Sequence, residues 1–161
     1  MKNQVLDNDH ANEIISGLWI GDSHIAGDVK FLKNKKITTI VNCTDSLGFT
    51  DYKGINHKLR VSVKDNLKQS QIDKMYAYFD KITTRINQLL QSGEVILIHC
   101  HAGKQRSVAV TTAYLMRYAK LPLKYTIRMI QTKRPVAGTP YINFLDALKR
   151  YESDLSNGRT A

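Results

Sequence analysis

Apolar side chains recur every three or four positions across residues 71–91, at Ile72, Met75, Tyr76, Phe79, Ile82, Ile86, Leu89 and Leu90. That period lines one face of an α-helix, so the stretch predicts a long amphipathic helix, ended by Ser92 and Gly93. A second helical pattern covers residues 106–118, with Val108, Ala109, Ala113, Leu115 and Met116 as its apolar positions. Two further helices are expected over roughly 122–132 and 140–152, separated by Pro135 and Gly138. Other apolar stretches lack the helical period. Residues 18–21, 37–42 and 94–98 read as short strands, and 57–63 alternates more weakly as another. Strands interleaved with helices predict an α/β fold: a central, mostly parallel, twisted sheet with helices on both faces. The polar ends, 1–12 and 153–161, read as loose tails around one domain of residues 13–152.

Composition narrows the class. A chain of 161 residues is one ordinary domain, and 42% hydrophobic with 24% charged residues is neither disordered nor fibrous in character. The run Val95–Ile98 is far too short for a bilayer span, and no signal-peptide pattern opens the chain. Two cysteines make no disulfide framework, which favours a reducing cytoplasm or nucleus. The net charge of +10 favours an acidic partner, a phosphoprotein, a nucleic acid or an anionic phospholipid surface, the alternative being lysines that merely face water. No arginine-rich block or interleaved aromatic–basic stripe argues for nucleic acid.

Candidate chemistry concentrates in "ILIHCHAGKQRS", residues 96–107. An apolar strand ends at His99-Cys100, a loop with a single glycine follows, and Arg106-Ser107 opens the next helix. Successive backbone N–H groups in such a loop can converge on an anion, and the helix dipole adds positive potential. Arg106 supplies a planar two-pronged donor for a phosphate. A thiol there loses its proton readily, from an ordinary value of about 8.5 to roughly 3.5–7.5 at such sites. The loop therefore predicts a thiolate nucleophile beneath a bound phosphate, which is the chemistry of a cysteinyl-phosphate intermediate.

His99-Cys100-x-x-Gly103-x-x-Arg106-Ser107 resembles the signature of cysteine-dependent phosphatases of the protein tyrosine phosphatase superfamily, in the small dual-specificity branch. The resemblance extends over roughly residues 13–151, including "RVSVKDNLKQSQI" as an acid loop and "KRPVAGTPYINFLDALKRYE" as closing helices. It implies Cys100 as nucleophile and Asp65, 35 residues earlier, as general acid and later base. Asp73, Asp45 and Asp51 are the competing carboxylates. Arg106 would bind phosphate, the backbones of His101, Ala102, Gly103, Lys104, Gln105 and Arg106 would cradle it, and Ser107 would hydrogen-bond the departing thiolate. Ser107 could equally be a first-turn residue satisfying backbone N–H groups. His99 would order the loop through backbone hydrogen bonds.

Cys43 closes the strand "ITTIVNCT". In a parallel sheet it falls on the same edge as Cys100, and some relatives carry a resolving cysteine at a corresponding strand end; the alternative is a small buried core residue. Two departures mark the closing segment, Tyr141 where asparagine is common and Asn143 where glycine is common. The histidines and cysteines show no zinc-ligand spacing, and the mechanism needs no cofactor. A shallow pocket accepting phosphotyrosine and phosphoserine/threonine in proteins is the leading expectation. His101 and Lys104 make the rim cationic, which keeps a phosphoinositide or other highly anionic phosphomonoester as the alternative. An RNA 5′-phosphatase would carry a different loop, and a pseudophosphatase would have lost the cysteine or the arginine.

Overall fold

The computed structural model describes residues 10–158, and its strands are β1 (Ala11–Ile15), β2 (Leu18–Gly21), β3 (Thr39–Asn42), β4 (His57–Arg60) and β5 (Ile96–His99). The helices are α1 (Ser23–Ala26), α2 (Val29–Asn34), α3 (Gln69–Gln91), α4 (Arg106–Tyr118), α5 (Leu123–Lys133) and α6 (Leu145–Ser156). The strands form one sheet in the order β1-β2-β5-β3-β4. Only β1 is antiparallel to its neighbour; β2 with β5, β5 with β3 and β3 with β4 are parallel pairs. This is the expected mostly parallel α/β sheet.

Burial on both faces explains why β3 and β5 read as unbroken apolar runs. Ile40 and Leu97 face a core with Ile25, Phe31 and Leu32 from α1 and α2. Val41, Ile96 and Ile98 face a larger core with Phe79, Ile86, Val110, Ala113, Ile130 and Leu148 from α3 to α6. Each fully buried side chain of this size contributes on the order of 1.5–3 kcal/mol, most of it offset by lost chain entropy. Helix α4 lies at the centre, buried from Arg106 through Met116. Thr111 and Thr112 tolerate that depth because their hydroxyls donate back to the carbonyls of Ser107 (2.8 Å) and Val108 (2.6 Å).

Several boundaries differ from the sequence expectation. Residues 11–12, expected in the tail, begin β1, where the polar Asn12 and Glu13 mask an edge strand held by backbone pairing to β2; residues 1–9 lie outside the described residues. At the other end α6 runs to Ser156, past the expected tail boundary at 153, and residues 159–161 lie outside the described residues. The last helix starts at Leu145 rather than near 140, because residues 139–143 are drawn into hydrogen bonds with the loop after β5. The strand expected over 57–63 leaves the sheet after Arg60, with Val61 N–H still bonded to the Asn42 carbonyl at 2.9 Å. Helices α1 and α2 carried a legible signal. Asp22 and Asp28 each cap the helix that begins at the next residue, accepting from the N–H three positions on, Ile25 (2.9 Å) and Phe31 (3.1 Å).

Candidate active site

The loop after β5 turns its carbonyls outward. The His101 carbonyl accepts from Ser23 N–H (2.9 Å), and that of Lys104 accepts from Gly138 N–H (2.7 Å). Arg134 takes the two between them, with Nε on the Gly103 oxygen (2.8 Å) and Nη2 on that of Ala102 (3.4 Å). A trans peptide sets its N–H opposite its C=O. The N–H groups of Ala102, Gly103, Lys104 and Gln105 therefore point away from these partners, which is how a backbone anion cradle is built. Gly103 permits the turn with φ +65°, and a Cβ there would meet Arg134 Nη2 at 2.7 Å and the Gly21 backbone at 2.8 Å. Arg134 is 1% exposed and also reaches Asn12 Oδ1 (2.8 Å), clamping the loop from behind.

Cys100 is 2% exposed at the end of β5, and its Sγ lies 3.2 Å from Ser107 Oγ in the first turn of α4. No side chain caps the N-terminus of α4, which leaves its first N–H groups to the cradle. Arg106 is 7% exposed; one prong, Nη1, donates to the Val63 carbonyl (3.0 Å) and fixes the guanidinium. Its Nε is buried with no hydrogen-bond partner among the described residues. A buried donor of a charged group is costly to leave unpaired, so this one is available to an acceptor placed in the loop. His99 Nδ1 lies 3.2 Å from the Cys100 carbonyl, and burial pushes the imidazole below its ordinary value, keeping the ring neutral. His101 is exposed and Lys104 half-buried, with no ion pair to either among the described residues.

Gln105 belongs to the loop through its backbone, but its side chain faces the 139–143 segment. Nε2 donates to the carbonyls of Thr139 (3.1 Å) and Tyr141 (2.7 Å), and Oε1 accepts from Asn143 N–H (3.0 Å). Asn143 Nδ2 in turn donates to Asp65 Oδ1 at 3.0 Å. Among the competing carboxylates Asp65 alone has such a link to the Cys100 loop. Asp73 sits on α3, bonded to Gln69 and Arg150, which together hold its carboxyl below the usual range. Asp45 pairs with Lys64 at 3.8 Å, and Asp51 is exposed in the loop between β3 and β4.

Cys43 is fully buried beside the site, its N–H donating to the His99 carbonyl at 2.8 Å. Burial, and then the neighbouring Cys100, push its thiol well above the ordinary value. Sequence reasoning missed Arg134, whose position before Pro135 carries no local sign of burial. It had noticed Asn143, but only as a departure, because nothing local joins it to Asp65. No three His, Cys, Asp or Glu side chains cluster as a metal site among the described residues.

Residues 18–154 match the dual specificity phosphatase catalytic domain. Dual specificity protein phosphatase 1B of Arabidopsis thaliana is 30% identical over 144 residues, covering 89% of this chain and 83% of that one. Human dual specificity phosphatase 28 is 30% identical over 142 residues, with 88% and 77% covered. A crystal structure of that human protein matches with a TM-score of 0.80 at 28% identity, covering 91% of this chain and 95% of that one. The chain spans only 21% of the longer human dual specificity protein phosphatase 16, to which it is 28% identical.

Proposed function

This chain belongs to the dual specificity phosphatase family, small members of the protein tyrosine phosphatase superfamily and phosphomonoester hydrolases, and from that premise we propose that it hydrolyses phosphotyrosine and phosphoserine/threonine in proteins through a cysteinyl-phosphate. The observation that carries this reading is the partnerless Arg106 Nε, buried at a loop whose N–H groups turn away from their outer partners. In the first step the Cys100 thiolate attacks phosphorus, the P–O bond to the substrate breaks, and Asp65 gives its proton to the leaving oxygen. In the second, water attacks phosphorus, Asp65 takes the water's proton, and the S–P bond breaks to return the thiolate. Ser107 Oγ, 3.2 Å from Sγ, hydrogen-bonds that leaving sulfur. Arg106 and the backbone N–H groups of residues 101–106 stabilise the charge on the transferring group. His99 orders the loop as a neutral ring. The catalytic unit runs from β1 to the end of α6, Ala11 to Ser156, and a reducing cytoplasmic or nuclear compartment suits two free thiols.

The test compares kcat/KM on a phosphotyrosine peptide, a phosphothreonine peptide, a phosphoinositide and a 5′-triphosphorylated RNA. Turnover of both peptides above the lipid and the RNA supports the reading. Dominant turnover of the phosphoinositide would transfer it to the lipid, with exposed His101 and unpaired Lys104 as the selecting groups. Cys100→Ser should abolish turnover while tungstate still binds the cradle. Asp65→Asn should lose roughly 10²–10⁴ in rate on an alkyl phosphate and clearly less on an activated aryl phosphate. Equal losses on the two would remove Asp65 from the acid role.

A further inference from the structure

A groove of about 440 Å³ runs between α5 and α6. Leu123 and Ile127 from α5, with Ile142 and Leu145 before and at the start of α6, supply its apolar wall. Lys124, Arg128 and Lys149 stand exposed along it. Among the described residues, no ion pair or side-chain hydrogen bond engages any of the three cations. The one acid in the lining, Glu152, is already committed, because its Oε2 accepts from Leu123 N–H at 2.6 Å. The groove is therefore apolar along its wall, with three cations against one hydrogen-bonded carboxylate at its edge.

One end of the groove adjoins the candidate active site. Ile142 directly precedes Asn143, whose side chain bonds Asp65 and whose N–H bonds Gln105 of the loop after β5. From Leu145 to Glu152 the helix extends about 11 Å, the reach of about four extended residues of a bound chain.

We propose that this groove docks an acidic, apolar-containing segment of the phosphoprotein substrate that flanks the phosphorylated residue. Aliphatic side chains of the segment seat against Leu123, Ile127, Ile142 and Leu145, and its carboxylates meet Lys124, Arg128 and Lys149. Such contacts lie outside the reacting centre and are equally strong in ground and transition states, so they lower KM and leave kcat unchanged. The proposal names the substrate class of the site assigned above, and so rests on that reading.

The experiment uses the full chain and phosphotyrosine peptides extended by eight residues, on the N-terminal side in one set and the C-terminal side in another. The extensions are alternating Glu and Leu, Glu and Ser, or Lys and Ser. The Glu-Leu extension, on one side of the phosphotyrosine, should raise kcat/KM about tenfold over the unextended peptide, entirely through KM. In the surface variant Lys124→Glu/Arg128→Glu/Lys149→Glu, normalised to its own aryl phosphate turnover, that ratio should fall to about one. A non-phosphorylated Glu-Leu peptide, followed by fluorescence anisotropy, should bind the parent and not the variant. Equal kcat/KM for extended and short peptides overturns the proposal, as does an advantage that persists in the variant. A Glu-Ser peptide as good as Glu-Leu would reduce the effect to bulk attraction by a basic protein, and would also overturn it. An advantage seen only after removal of residues 1–9 would assign the groove to the chain's own N-terminal segment instead. Should no phosphopeptide be turned over, the phosphatase reading fails, and the anisotropy arm then decides whether the groove still selects an acidic, apolar chain.

Discussion

Cys43 and Cys100 each follow the last residue of neighbouring parallel strands, Asn42 and His99, which are register partners. Adjacent strands lie about 4.8 Å apart, inside the range that a disulfide spans. The two thiols are nevertheless unequal. Burial, and then the nearby Cys100, hold the Cys43 thiol protonated, which disfavours Cys43 as the first site of attack by peroxide. Were peroxide to oxidise Cys100 to a sulfenic acid, attack by the Cys43 sulfur would form the S–S bond and release water. On this basis we expect peroxide-treated parent protein to regain activity with a dithiol, with a Cys43–Cys100 linkage visible by mass spectrometry. Cys43→Ala should lose activity irreversibly under the same dose. Identical inactivation and recovery in both proteins would leave Cys43 a packing residue.

Two element-level devices hold the loop after β5. The first is its close approach to β2 and Arg134 at Gly103. Gly103→Ala adds a Cβ 2.7–2.8 Å from Arg134 Nη2 and the Gly21 backbone, at a φ of +65° that disfavours any side chain. It should cost roughly 2–4 kcal/mol of stability, read by chemical denaturation, and lower activity with it. The second is the chain of hydrogen bonds from Gln105 to Asn143 to Asp65, which fixes the acid's loop relative to the nucleophile's. Asn143→Ala should lose about tenfold in kcat/KM on an alkyl phosphate and less than about threefold on an aryl phosphate. It should add nothing further in an Asp65→Asn background. Losses that ignore the leaving group would make Asn143 a structural residue only.

Over the whole molecule, the shifted groups define a pH window. His99 lies below its ordinary 6.5 through burial, and Glu94 below 4.5 through hydrogen bonds, chiefly from Thr38. For both, the unfolded chain binds protons more tightly than the folded one, so stability is lost as pH falls, from about 6.5 for His99 and below 4.5 for Glu94. Cys43 is raised above 9.0 by burial, so the unfolded chain ionises first and stability declines as pH climbs past that value. Denaturation midpoints should therefore be highest between about pH 7 and pH 9. His99→Gln should flatten the limb between pH 7 and pH 5; an unchanged slope there would show that His99 does not set it.

The local pattern alone determined α3, whose buried Met75, Phe79, Ile82, Ile86 and Leu89 follow the helical period, and α4, found over the predicted residues. It also placed Cys100 at a strand end and Arg106 at the following helix start, because a strand–loop–helix turn confines both to one short segment. The buried strands β3 and β5 were legible for a related reason: wrapped on both faces, they must be apolar throughout. Only tertiary structure decided the rest. Arg134 reaches the Gly103 carbonyl across 31 residues, and Asn143 reaches Asp65 across 78. Hydrogen bonds between segments so far apart impose no periodicity on either one, and a polar side chain that serves a distant carbonyl or carboxylate reads locally like one that serves water.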